Sequence, residues 1–346
     1  MSSFSLAFEQ FVKNGDFLTL TRQFELGIPE SKEFRIKQGT ANLLDTGVLL
    51  IEPDSLSHEP KDIIISSGIH GNETAPIEIV NRLVSELVLG ETQVKHRTLF
   101  IIGNPVAMNL GQRFEKENLN RLFCGKYQDI AACYEQGRAE KLEHYVTEFF
   151  SRKHSARGAR YHYDLHTAIR PSKYEKFAIY PYQGDKPWCK EQLAFMHSCG
   201  INTILFGHAP SGTFSYFTSA SFQAHAFTVE LGKVMPFGQN NMSNFSEITD
   251  NLRSLVQEQP ISMAAFNNDN FNLFEVLGDI TKVTDNFKLH IADDVSNFTD
   301  FPVNTLLSED KGEIYRTSQE GESIVFPNAK VANGQRAGLL VVPTQL

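Results

Sequence analysis

An α/β fold, built on a central sheet with parallel members and flanking helices and followed by a smaller, mostly β domain, is predicted by three observations. The chain has 346 residues, long for one domain. Up to about residue 255, short runs of β-formers alternate with longer stretches of helical periodicity. From about Pro260 onward, strand-like runs follow one another across Asn, Asp and Gly turns without a convincing helix. The division is therefore placed between residues 1–254 and 255–346.

The first 45 residues are ambiguous and are read as contributing a helix and an edge strand. "DIIISSG" (62–68) reads as a buried strand. In "APIEIVNRLVSELVLG" (75–90), Ile79, Leu83 and Leu87 share a face with Val80, Val84 and Val88, which predicts an amphipathic helix ended by Gly90. "TLFIIGN" (98–104) is the next strand, and Glu135 to Arg152 reads as helix. "RYHYDLH" (160–166), "KFAIYP" (176–181) and "HAFTVELG" (225–232) read as strands, with a helix from Trp188 to Ser198 between the last two. The tail runs "NLFEVLGDITKVT", "FKLHIA", "GEIYRT", "ESIVFP" and "AGLLVVP" read as strands.

Composition excludes several classes. A net charge of −9 with no basic block argues against nucleic acid and anionic membranes as partners. No run of 18 apolar residues occurs, and the start "MSSFSLAFEQFVKNGDF" lacks the basic and apolar regions of a signal peptide, so a soluble cytoplasmic protein is expected. Cys124, Cys133, Cys189 and Cys199 contain no C-x-x-C pair and are read as buried reduced thiols.

In open α/β sheets, functional groups gather beyond the carboxyl ends of the strands. His70 and Glu73 follow such an end, His166 closes another, and Glu230 ends a third. Two His and a Glu, with a second Glu beside them, have the composition of a catalytic zinc site. About one His-x-x-Glu pair is expected by chance in such a chain, so the weight rests on four groups meeting at strand ends. Gly68 and Gly71 permit a tight turn with close backbone approach, and Asn72 can hydrogen-bond locally. In "NPVAMNLGQRFEKENLNRLF" (104–123), Arg113, Asn120 and Arg121 follow a strand directly. Guanidinium groups beside such a site suit a small anionic substrate, whereas a solvated loop in which Glu115 and Glu117 pair those Arg is the plainer reading.

The motifs "GIHGNETAP", "GQRFEKENLNRLF", "DLHTAIRPS" and "TVELGKVMPFGQN" resemble, in this order, those of the aspartoacylase and desuccinylase branch of the zinc carboxypeptidase-like hydrolases. The resemblance spans roughly residues 60–245, and the length and β-rich tail suit the family. "DLHTAIR" and "VELGK" with "PFGQN" are more specific than His-x-x-Glu and point to the desuccinylase side. The resemblance implies a mixed central sheet with flanking helices and one zinc per chain, held by His70, Glu73 and His166. It implies Glu230 as general base, Arg113 polarising the amide carbonyl, and Asn120 with Arg121 binding a substrate carboxylate. The implied reaction is hydrolysis of N-succinyl-L-glutamate to succinate and L-glutamate, in arginine catabolism by the succinyltransferase route. Deacylation of another N-acyl amino acid and a metallocarboxypeptidase activity stay open.

Further positions follow from these. Family members often carry Asp where Asn118 stands, which removes a possible salt-bridge partner for a neighbouring Arg. Asp164 is a candidate partner for His166 if the strand stays regular to its end. Arg170, four residues after His166, is read as a further carboxylate clamp, weighed equally against a surface salt bridge.

Overall fold

The computed structural model describes residues 2–151 and 159–346. Helices α1 (Ser3–Asn14) and α2 (Phe17–Gln23) lead into β1 (Lys32–Ile36), β2 (Gly39–Asp45) and β3 (Val48–Pro53). Then come β4 (Lys61–Ser67), α3 (Thr74–Val88), β5 (Arg97–Ile102), α4 (Pro105–Leu110), α5 (Tyr134–Ser151) and β6 (Ala159–Ala168). They are followed by β7 (Phe177–Tyr180), α6 (Lys190–Ser198), β8 (Thr203–Phe206), α7 (Phe214–Phe222), β9 (His225–Lys233) and α8 (Ser246–Gln257). The tail carries β10 (Asn272–Thr281), β11 (Lys288–Leu289), β12 (Thr299–Asp300), β13 (Leu306–Asp310), β14 (Glu313–Arg316), β15 (Ser323–Val325) and β16 (Arg336–Pro343). Arg152, which closes the helix expected from Glu135, lies outside the described residues.

Thirteen strands join in the order β1-β2-β3-β5-β4-β6-β9-β7-β8-β10-β16-β15-β12, while β11, β13 and β14 form a separate sheet. The large sheet is mixed. β5, β4, β6 and β9 run parallel, whereas β3 is antiparallel to β5 and β7 is antiparallel to β9. The register sets Ser66 level with Asp164, and His166 level with Glu230, so β4, β6 and β9 deliver their last residues to one edge.

Alternation along the strands separates two cores. Ile63 and Ile65 of β4 and Phe100 of β5 pack with Val80 and Val84 of α3 on one face. Ile64, Leu99 and Ile101 point the other way, against Leu142 and Val146 of α5. Helices on both faces explain why β4 and β5 are near-continuous apolar runs.

To the elements read from the sequence the structure adds β3, α4, β8, α7, α8, β12 and β13, and the first 45 residues hold two helices and two strands where one of each is expected. β8 has only four residues, and α7, "FSYFTSASF", is dominated by aromatic and hydroxyl residues with weak helix preference. Its start is secured because the Thr213 side chain accepts the Tyr216 N–H. β8 also pairs in parallel with β10, so the β-rich tail continues the sheet of the α/β part. The four cysteines are free thiols as expected, but only Cys199 is buried and Cys124 is exposed. Among the described residues no helix is long and apolar enough to cross a membrane.

The loop after α4 is held from below by one carboxylate. Glu135, fully buried in the first turn of α5, accepts the Glu115 N–H at 2.7 Å, the Lys116 N–H at 3.4 Å and Asn104 Nδ2 at 3.3 Å. A carboxylate there also suits the positive end of the helix dipole. Glu135→Ala leaves these donors without their acceptor and is expected to lower stability by about 3 kcal/mol, at the upper end for hydrogen bonds to a charged group. Urea unfolding checks it; an unchanged midpoint would mean that the loop does not depend on Glu135.

Candidate metal centre

β4 ends in a turn that Gly68 enters with φ 61°, a conformation that favours glycine. Gly71 has a different reason. A Cβ there would lie 2.1 Å from Met108 N and 2.2 Å from Ala107 C, so only glycine lets the turn press on the α4 backbone. The turn presents His70 and then Glu73, the N-cap residue of α3, whose side chain makes no cap hydrogen bond. That side chain is engaged elsewhere. Asn72 departs from expectation, since its Oδ1 is buried with no partner among the described residues.

Glu73 stands at the centre of the cluster. Its Oε1 lies 2.8 Å from His70 Nδ1 and accepts from Arg113 Nη1 at 2.6 Å. Its Oε2 lies 2.8 Å from His166 Nδ1 and accepts the Thr167 N–H at 3.2 Å. His70, Glu73 and His166 are buried, with potential ligand atoms all within 4.8 Å of one another. Both rings turn Nδ1 inward because Nε2 is used behind them. His70 Nε2–H donates to Asn118 Oδ1 at 2.9 Å, and His166 Nε2–H donates to Asp164 Oδ2 at 2.9 Å. Inward imidazole nitrogens plus a carboxylate form a donor set that fits zinc.

The surroundings split the titrations. Burial, then the Arg113 charge, lowers the His70 pKa to about 4, which keeps it neutral as a ligand must be. Burial pushes Glu73 up, but His70 and His166 outweigh it and hold the carboxylate well below its ordinary range. Glu230 goes the other way. It is 8 % exposed, its Oε2 has no hydrogen-bond partner among the described residues, and burial raises its pKa to about 7.

The structure puts Arg113 on Glu73 and brings Asn120 and Arg121 into a tight turn, Leu119–Arg121, capped by Asn118. Asn118 Oδ1 accepts from Asn120 N as well as from His70, so its partner is a candidate metal ligand and not an Arg. Asn120 Oδ1 in turn accepts the Phe214 N–H at the start of α7. Arg121 keeps much of its surface accessible although protein lies close around it. That enclosure, with repulsion from Arg336 and Arg113, lowers its pKa to about 10, still a cation at neutral pH.

Arg170 reaches the tail. Its Nη1 donates to the Ala292 and Val295 carbonyls, both at 3.2 Å, and Nη2 reaches Asp293 at 3.5 Å. The guanidinium ties the end of β6 to the tail. Glu115 and Glu117, the alternative partners for the loop Arg, instead give their backbone N–H groups to Glu135. The reading from sequence missed Arg336, brought beside Arg121 from β16, and Ser66 and His162 behind the cluster. A signal for His162 existed: it alternates with Asp164 and His166 along one face of β6.

Comparison with known proteins finds relatives along nearly the whole chain. The family described as succinylglutamate desuccinylase/aspartoacylase catalytic domain matches residues 59–256, and the AstE/AspA barrel-sandwich hybrid domain matches residues 269–344. The chain is 45% identical over 338 residues to succinylglutamate desuccinylase of Pseudoalteromonas atlantica, covering 96% of each chain. It is 47% identical over 335 residues to that of Shewanella pealeana, again covering 96% of each. The crystal structure of the enzyme from Vibrio parahaemolyticus superposes with TM-score 0.86 at 34% identity, covering 95% of both chains. That from Chromobacterium violaceum gives 0.83 at 38% identity, covering 96% of this chain and 98% of the other.

The raised Glu230 pKa sets a pH dependence for the metal-free protein. A carboxyl whose folded pKa, about 7, exceeds its ordinary 4.5 contributes stability that is present below pH 4.5 and lost as pH rises to about 7. Glu230→Gln removes that titration, so its stability relative to the parent should increase from pH 4.5 to pH 8. Denaturant unfolding of both proteins at the two pH values checks this, and a difference independent of pH would contradict it.

Proposed function

The chain belongs to the succinylglutamate desuccinylase/aspartoacylase family, and from that premise we propose that it hydrolyses N-succinyl-L-glutamate to succinate and L-glutamate. The observation that carries the reading is the buried set of His70, Glu73 and His166, with Glu230 beside it, whose Oε2 has no partner among the described residues. The division expected between residues 254 and 255 goes with it, set a few residues later because that point falls inside α8 and the two family matches leave residues 257–268 between them. A role in arginine breakdown by the succinyltransferase route fits that substrate.

His70 Nδ1, Glu73 and His166 Nδ1 would hold one zinc ion. When bound, zinc lowers the pKa of a water ligand to about 7 and polarises an amide carbonyl. Glu230 supplies the base. Buried beside the cluster, its carboxylate takes a proton from the attacking water and returns it to the leaving amine. Arg113, bonded through Nη1 to Glu73 and with its side chain 31% exposed, presents positive charge where the amide oxygen turns anionic. N-succinylglutamate carries three carboxylates. Asn120 and Arg121 provide donors for one of them, and Arg121 forms no ion pair among the described residues that would compete. Arg170 is left out of this set because its donors are committed to the tail.

Two expectations test the roles. Glu230→Gln should keep one zinc per chain and lose turnover by about 100-fold or more, whereas His70→Ala and His166→Ala should lose both metal and activity. Metal analysis of each variant beside a glutamate-release assay separates the roles; stoichiometric zinc in a His variant removes that residue from the ligand set. Arg121→Lys should lower kcat/KM for N-succinylglutamate by about 1.5–3 kcal/mol with zinc unchanged, since an ammonium cannot reproduce the planar fork. Release of the free amine from N-acetylaspartate and from peptides, measured beside that from N-succinylglutamate, decides the substrate, and a preference for either of the former would overturn the desuccinylase reading.

A further inference from the structure

Behind His166 runs a buried chain of hydrogen bonds that no step above uses. Asp164, which accepts from His166 through Oδ2, accepts from Ser66 Oγ through Oδ1 at 2.6 Å. Ser66 Oγ lies 2.8 Å from His162 Nε2, and His162 Nδ1 lies 2.8 Å from Thr218 Oγ1 on α7. Ser66, His162, Asp164 and Thr218 are fully buried. The His162 ring packs in a T-shaped pair with Phe214, with centroids 4.8 Å apart at 80°, which restrains its plane.

Counting protons gives this chain a direction. Ser66 has one hydroxyl proton, and Asp164, a carboxylate, can only accept it. The contact between Ser66 and His162 is then a hydrogen bond only when His162 Nε2 carries the proton and donates. Burial lowers the His162 pKa to about 4, so the ring is neutral and its Nδ1 accepts. The Thr218 hydroxyl proton is shared between that Nδ1 and the Ser215 carbonyl at 3.0 Å.

We propose that His162 is a positioning residue for His166: through Ser66 and Asp164 it fixes the ring whose Nδ1 faces Glu73. The effect on metal binding rests on the reading of His70, Glu73 and His166 as ligands. α7 thereby touches both halves of the site, since Thr218 closes this chain and the Phe214 N–H is held by Asn120.

Zinc affinity, measured by competition with a chromophoric chelator, tests the proposal together with nitrogen-15 NMR of His166 in the metal-free proteins. His162→Leu and Ser66→Ala should each weaken zinc binding by about 10-fold or more, the range for groups behind a ligand. The double variant should be no weaker than Ser66→Ala alone, because both changes break one chain. His162→Gln, whose side-chain N–H can still donate to Ser66, should recover most of the loss. In the metal-free proteins the His166 Nε2 proton should exchange slowly in the parent and in His162→Gln, and fast in His162→Leu and Ser66→Ala. Parental zinc affinity in His162→Leu, additive losses in the double variant, or NMR signals unchanged throughout would overturn the proposal. A parent that binds no zinc would overturn the ligand reading instead, while the NMR comparison would still decide whether the chain orients His166.

Discussion

A single buried carboxylate organises this protein's candidate site. Glu73 is 1 % exposed and meets His70, His166, Arg113 and the Thr167 N–H. An ionised carboxylate taken out of water is tolerated only where paired charges and hydrogen bonds replace the lost solvent. Those partners come from three places: the turn after β4, the end of β6, and the loop after α4. Each must arrive in register for Glu73 to be satisfied, which explains why so much of the surrounding structure is devoted to fixing them. Gly71 presses the turn onto α4, the parallel pairing of β4, β6 and β9 aligns the strand ends, and Glu135 holds the loop.

The contrast with Glu230 follows from the same physics. Both side chains are buried at one edge of the sheet, yet one is held well below and the other above the ordinary carboxylate range. Glu73 accepts from Arg113 and the Thr167 N–H and has both imidazole rings against it, whereas one Glu230 oxygen has no partner among the described residues. Divergent environments for two neighbouring carboxylates separate a ligand from an acid or base without any change in residue type.

Much of this was legible from spacing. His70, Glu73, His166 and Glu230 stand at the ends of β-rich runs, and a parallel sheet must bring such ends together. What local pattern could not show was tertiary. Arg170 resembles an anion clamp by position, but the tail offers it the Ala292 and Val295 carbonyls, residues more than a hundred positions away. Asn118 was read against a neighbouring Arg, and only the fold shows that His70 is its partner. α7 was invisible because "FSYFTSASF" has weak helix preference, and its role depends on the contacts of Phe214 and Thr218. The change of pattern near Pro260 is real in composition, although β10 continues the large sheet through β8.

The central claim is that the inward nitrogens and the carboxylate of His70, His166 and Glu73 form one metal site. A crystal structure of the zinc-loaded protein, with anomalous scattering recorded at the zinc edge, tests this most directly. The account predicts one peak per chain about 2.0–2.2 Å from His70 Nδ1, His166 Nδ1 and a Glu73 oxygen, with Asn118 and Asp164 still bonded to the outer Nε2 atoms. A peak elsewhere, or ligation through Nε2 with those outer bonds broken, would contradict it.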